Sequence, residues 1–209
     1  MGRRNDHSRE EIRELAILAA AKLVTEHGLA GLTARKVATA IGYTVGSLYL
    51  VFKNLDELIL HVNVRNLDAL YQAVTQAGAP HPEPIPRLLA FGRAYLQFGL
   101  EHTDAWRMIF EHRMQHGAER PPWFESQVNR LFGLLEAPIQ TLLPQAEQAT
   151  VVQAAHALWG GVHGICVLCL SDKLTVVKAI SAQDLLENLM RHYLTGLQSE
   201  QRARVAAGD

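Results

Sequence analysis

LTARKVATAIGYTVGSLYLVFKN, residues 32–54, reads as two short helices joined by a tight turn, the layout of a helix-turn-helix. Thr33 is placed to cap the first helix, and Val37, Ala38 and Ile41 give that helix a narrow apolar stripe. Gly42 ends it, because a residue without Cβ takes a left-handed conformation at little cost. Thr44 can cap the second helix, whose inward set is Val45, Leu48 and Phe52. Thr44, Ser47, Tyr49 and Lys53 are then left with small or polar groups able to meet DNA. A globular core does not demand this arrangement.

The flanking chain continues the helical pattern. Ser8-x-x-Glu11 forms a capping box, and Ile12, Leu15, Ala16, Ala19, Leu23 and Val24 share a face until His27-Gly28 stops the helix. Asn54-x-x-Glu57 is a second box, opening a helix with Leu58, Ile59, Val62, Leu67, Leu70 and Val74 that fades at Gly78. Residues 78–86 carry four prolines and read as a loop. Helical patterns resume over 88–101, restart at Thr103-Asp104, break at 117–122, and run over 125–143 and 147–170 on either side of Pro144. A last helix begins at the capping residue Ser181 and carries Leu185, Leu186, Leu189, Met190, Tyr193, Leu194 and Leu197, and residues 201–209 are expected to fray. Period-two alternation and hairpin turns are missing from the pattern, so the chain is expected to be all-α with about nine helices.

Net charge is −1, but it is unevenly spread: residues 1–53 hold eight Lys/Arg against five Asp/Glu, a net +3, and residues 54–209 carry −4. The basic surplus accompanies the helix-turn-helix, where it would favour phosphate. Two cysteines offer no disulfide framework. The N-terminus lacks the apolar stretch of a signal peptide, and the longest apolar run, 157–170, falls short of a membrane span. A cytoplasmic protein without a membrane partner is expected.

The residues of the head resemble the DNA-binding domain of TetR-family transcriptional regulators. The likeness is carried by Ser8, by Thr33 with Val37-Ala38, by the run from Gly42 to Tyr49, and by Phe52 with Asp56-Glu57-Leu58, roughly the first quarter of the chain. Two positions depart from the family pattern: Leu55 stands where a phosphate-reaching lysine is usual, and Tyr43 replaces a small aliphatic residue. The resemblance implies a DNA-binding domain over 1–54 and a ligand-binding and dimerisation domain over 55–209. It implies phosphate contacts from Thr33, Thr44, Tyr49 and Lys53, with Lys53 able to stand in for the missing lysine. Base-edge contacts would come from Arg35, Tyr43, Val45 and Ser47, and Gly46 would let the helix approach closely. It further implies a homodimer formed by the last two helices, a palindromic operator on double-stranded DNA, and a repressor released by a small-molecule effector.

In the remainder, Trp159-Gly160-Gly161-Val162-His163-Gly164 places Trp159 and His163 on one helix face, and resembles the Trp-x-x-x-His-Gly signature of one class of TetR-like C-terminal domain. Both residues either wall an effector pocket or pack structurally, with the glycines admitting a neighbouring helix. Trp106, Met108, Ile109, Phe110 and Met114 form a soft apolar patch that suits either a pocket or a core, and Trp106 and Phe110 are its candidate ligand contacts. Cys166-x-x-Cys169 sits in an apolar helix without further ligands, which fits buried thiols better than zinc or redox chemistry. His112 and His116 share a face, and His156 and His163 are similarly spaced, but neither pair has partners to complete a metal site. No cofactor or metal is expected. Phosphate loops, nucleophile elbows and zinc-protease strings are all missing, so catalysis has no support. Two competing classes remain, a helical module whose head binds a protein partner and an enzyme built around the histidines.

Overall fold

In the first helix the Ser8 hydroxyl accepts from the Glu11 N–H at 3.2 Å while the Glu11 carboxylate accepts from the Ser8 N–H at 2.6 Å. This capping box opens α1 (Arg9–His27), and Gly28 closes it with φ +68. The computed structural model describes residues 7–114, 119–176 and 181–207, and nine α-helices and no strand occur among them. The fold is all-α.

A 3-10 turn at Leu29–Gly31 leads into α2 (Ala34–Ala40) and α3 (Val45–Tyr49). The long α4 (Leu55–Gly78) follows, then α5 (Pro84–Glu101), α6 (Thr103–Glu111), α7 (Pro122–Leu142), α8 (Gln148–Leu170) and α9 (Ala182–Ala207). Two of these starts correct the sequence reading. Pro84 and Pro86 lie inside the first turn of α5, and Pro122 opens α7. The first N–H groups of a helix have no intrahelical partner, so proline costs nothing there. The end of α9 is a third correction, because the helix continues through the stretch expected to fray.

The chain divides into two compact units. The first comprises Met1–Asp68 and His102–Glu125, the second Ala69–Glu101 and Ser126–Asp209. The helix-turn-helix thus shares its unit with the first part of α4 and all of α6, whereas the functional boundary was expected at residue 54. In the first unit, Ala16, Ile17, Ala20 and Val24 of α1 meet Val37, Leu48, Phe52, Leu58, Val62 and Met108 in one buried cluster. Asn63, 1% exposed, is pinned there by donating its amide to the Met108 carbonyl of α6 at 2.9 Å.

The second unit packs α5, α8 and α9 together. Leu186, Met190 and Leu194 of α9 are buried with Leu88, Phe91 and Leu96 of α5 and with Val151, Ala155, Leu158 and Cys166 of α8. A Cβ on Gly161 of α8 would stand 2.7 Å from Leu189, so this glycine admits α9 closely. Helix α8 spans 23 residues, with a stretch of mean hydropathy 1.4, long and apolar enough by length and composition to cross a membrane. The sequence reading missed this by starting the apolar run at Ala157. Only a third of that stretch is buried within the chain.

Candidate nucleic-acid interface and effector-side residues

Each short helix of the head begins on a threonine. Thr33 Oγ1 accepts from the Lys36 N–H at 3.2 Å, and Thr44 Oγ1 accepts from the Ser47 N–H at 3.1 Å. Such caps contribute about 1 kcal/mol each. Between them Gly42 takes φ +76, and the Tyr43 N–H donates to the Ala38 carbonyl at 2.9 Å, which fixes the angle of the turn. Leu48 is buried beneath α3, while Thr44, Gly46 and Tyr49 are exposed and Val45 and Ser47 half-buried. Arg35 is exposed on α2, and Lys53 is exposed beyond α3. The nine sequence-predicted contact residues therefore lie on two consecutive helices, their caps, the turn between them and the turn that follows.

Tyr43 is the exception in character. Its hydroxyl lies 2.8 Å from His7 Nδ1, so its ring is half-buried against the N-terminal lead. Leu55 is partly buried against the core of the first unit, and the exposed cation at this end of the head is Lys53. Asn54 Oδ1 accepts from the Glu57 N–H at 2.8 Å, as the second capping box requires. The Glu57 carboxylate accepts from the Lys53 N–H, one residue before the cap.

Trp159 and His163 come together in the second unit. Their rings stack at 5.0 Å, Phe132 of α7 meets Trp159 edge-on at 5.5 Å, and His156 stacks on Phe132 at 4.0 Å. The Tyr95 hydroxyl of α5 lies 2.8 Å from His163 Nδ1. Burial lowers the His163 pKa from its ordinary value and keeps the imidazole neutral at pH 7. This face presents aromatic walls with a phenol and a neutral imidazole as its polar handles. Sequence reasoning missed Phe132 and the Tyr95 link, because no local periodicity joins residues 68 positions apart.

Trp106 and Phe110 belong instead to the first unit, where their rings sit 4.9 Å apart and Trp106 is buried. Cys166 is fully buried and its thiol is pushed up to about 12, by burial first and then by Cys169, which makes it inert. His112 Nε2 lies 3.2 Å from Asp56 Oδ1, and His116 lies outside the described residues. Among the described residues, no group of three or more His, Cys, Asp or Glu could hold a metal.

A capped, glycine-turned helix pair packed into one buried helical core, in a chain with a second compact helical unit, defines a helix-turn-helix regulator fold. Comparisons with known proteins agree. The profile described as "Bacterial regulatory proteins, tetR family" matches residues 16–62, and that described as "Tetracyclin repressor-like, C-terminal domain" matches residues 88–193. The chain belongs to the TetR family of transcriptional regulators. No curated protein matches it in sequence. Among solved structures, it is similar to a protein with unknown function from Rhodococcus sp. RHA1. They share 16% identity, with 94% of this chain and all of that one covered, at a TM-score of 0.74. It is also similar to FadR of Thermus thermophilus, a TetR-family repressor solved with lauroyl-CoA. Here identity is 17%, coverage 87% of this chain and 93% of that one, and the TM-score 0.65.

Proposed function

We infer that the protein is a homodimeric, ligand-responsive repressor of the cytoplasm, reading a palindromic operator with residues 1–54 and binding its effector and its second copy through residues 55–209. The observation that carries DNA reading is the outer surface of α3. Thr44, Gly46, Tyr49 and Lys53 are exposed, while the same stretch gives Leu48, Val51 and Phe52 to the core. In this reading Thr33, Thr44, Tyr49 and Lys53 touch phosphate, Arg35, Val45 and Ser47 address base edges, and Tyr43 buttresses the turn.

The dimer is supported by how α9 divides its apolar residues. Leu186, Met190 and Leu194 are fully buried inside the unit, which leaves Leu185, Leu189, Tyr193 and Leu197 partly exposed. On α8, Ala157, Gly160, Val167 and Leu168 are also exposed. A helix apolar all round needs cover on every side, and a two-fold copy of the same pair supplies it. Trp159 and His163, framed by Phe132 and Tyr95, form the effector-facing side, suited to an apolar or amphipathic molecule with one polar head. The lauroyl-CoA of the similar Thermus protein makes a fatty-acyl thioester the first effector to test.

The deciding experiment titrates the protein into labelled DNA from its own upstream region across a salt series with scrambled competitor. Tight binding that survives competitor and weakens steeply with salt is expected. Salt-insensitive binding, or none at low salt, refutes the DNA reading in favour of a protein-binding head.

A further inference from the structure

A five-residue helix has no cooperative stability of its own, so α3 must be held from outside at its exit as well as at its capped start. Past Tyr49 the chain turns: the Leu50 N–H bonds the Ser47 carbonyl, and the Val51 and Phe52 N–H groups both bond the Leu48 carbonyl. The Val51 carbonyl lies beyond these bonds, and Arg13 reaches it from α1. Arg13 Nη2 donates to Val51 O at 2.7 Å, and Arg13 Nη1 donates to His61 Nε2 of α4 at 3.1 Å. The guanidinium carbon also sits 5.0 Å from the centre of the Phe52 ring. The His61 ring meets Phe52 edge-on at 5.7 Å and stacks on Trp123 at 4.6 Å. One side chain thus ties α1, the end of the reading helix and α4 together.

We propose that Arg13 is a positioning residue for DNA reading, which holds the exit of α3 through the Val51 carbonyl and a neutral His61 and so fixes how Tyr49 and Lys53 are presented. This rests on the DNA-binding reading above. A guanidinium can only donate hydrogen bonds, so His61 Nε2 must be the acceptor and the ring proton sits on Nδ1. Protonating His61 would set N–H against N–H and place two cations in contact. Burial lowers the His61 pKa and Arg13 acts in the same direction, against Glu57 of α4 and Glu10 and Glu14 of α1. The Phe52 and Trp123 rings that enclose the imidazole carry no charge. The grip therefore holds at neutral pH and fails as pH falls through the lowered pKa.

The test uses the full chain as wild type, Arg13→Ala, Arg13→Lys and His61→Gln, with operator affinity and amide hydrogen exchange followed between about pH 5 and 8. At neutral pH, Arg13→Ala should lose about tenfold in affinity. Exchange should quicken at Leu48 to Phe52 while the middle of α1 is unchanged. Arg13→Lys should recover part of both. Wild type should lose affinity as acidification passes through the lowered His61 pKa, whereas His61→Gln, whose amide oxygen still accepts from Arg13, should hold its affinity. Wild-type affinity and exchange in Arg13→Ala would overturn the proposal, as would exchange quickened equally throughout the unit, or an acid loss unchanged in His61→Gln. Should wild type bind no DNA at all, the DNA reading falls, and the exchange arm still decides whether Arg13 holds the helix.

Discussion

Replacing Gly46 by alanine should make the free protein more stable and a poorer DNA binder. An added Cβ meets only Thr44 Oγ1, at 3.6 Å, an ordinary contact, so nothing within the head opposes the methyl group. Glycine in a helix costs roughly 0.5–1 kcal/mol against alanine through backbone entropy, and Gly46→Ala should recover most of it. For a chain of this size that raises Tm by about 1–4 °C. On DNA, the same methyl would lie between the reading helix and the groove. Overfilling a close contact costs on the order of 1–3 kcal/mol, which weakens operator affinity about 5- to 150-fold. Thermal unfolding by circular dichroism and an operator titration at one fixed salt concentration measure both quantities. Because stability and affinity move in opposite directions, loss of binding through partial unfolding cannot imitate the result. Unchanged affinity would refute close approach of α3 at Gly46, and a lowered Tm would refute the open environment around it.

Gly42→Ala should do the reverse, since space around Gly42 is open and φ +76 alone opposes a side chain. A loss of about 1–2 kcal/mol in urea unfolding is expected, with Gly42→Asn losing less. Leu186 of α9, 0% exposed, and Leu168 of α8, 42% exposed, separate folding from association. Leu186→Ala should cost about 2–5 kcal/mol of folding stability. Leu168→Glu should leave the monomer folded and weaken the dimer in sedimentation, and an unaltered sedimentation profile would count against the α8–α9 interface. Burial lowers the His163 pKa, so the unfolded chain takes up a proton first as pH falls. Stability is then present above about pH 6.5 and lost below it through the lowered pKa. His61 and His112 share this direction, so His163→Gln should shallow the acid slope of urea unfolding without abolishing it.

The head was legible because its signals are local. Thr33, Thr44, Ser8 and Asn54 cap helices within three residues of themselves, and Gly42 turns the chain in place. The starts of α5 and α7 were misread because proline was treated as a breaker, when at Pro84 and Pro122 it occupies positions that need no N–H. What sequence could not give was pairing at a distance. Arg13 with Val51, Asn63 with Met108 and Tyr95 with His163 each join separate helices, and no periodicity announces them. The same limit governed Trp106: the sequence left its patch open between a pocket and a core, and only the fold shows Trp106 buried against Phe110 in the first unit.

On the proposed reading, signal transfer needs an element that both sites can bias, and α4 and α7 are the helices that contribute residues to both units. Within the first unit, α4 is tied at three levels along its length. His61 meets Arg13, Asn63 holds the α6 backbone at Met108, and Arg65 donates to Glu14 of α1. These contacts are polar and directional, so a shift of α4 breaks them rather than stretching them, which favours discrete states over a graded response. An effector contributes only the difference between its affinities for those states. A coupling of about 3 kcal/mol would lower operator affinity roughly hundredfold. Reciprocity then requires operator DNA to weaken effector binding by the same factor, a symmetry that a local, uncoupled loss of DNA affinity would not reproduce.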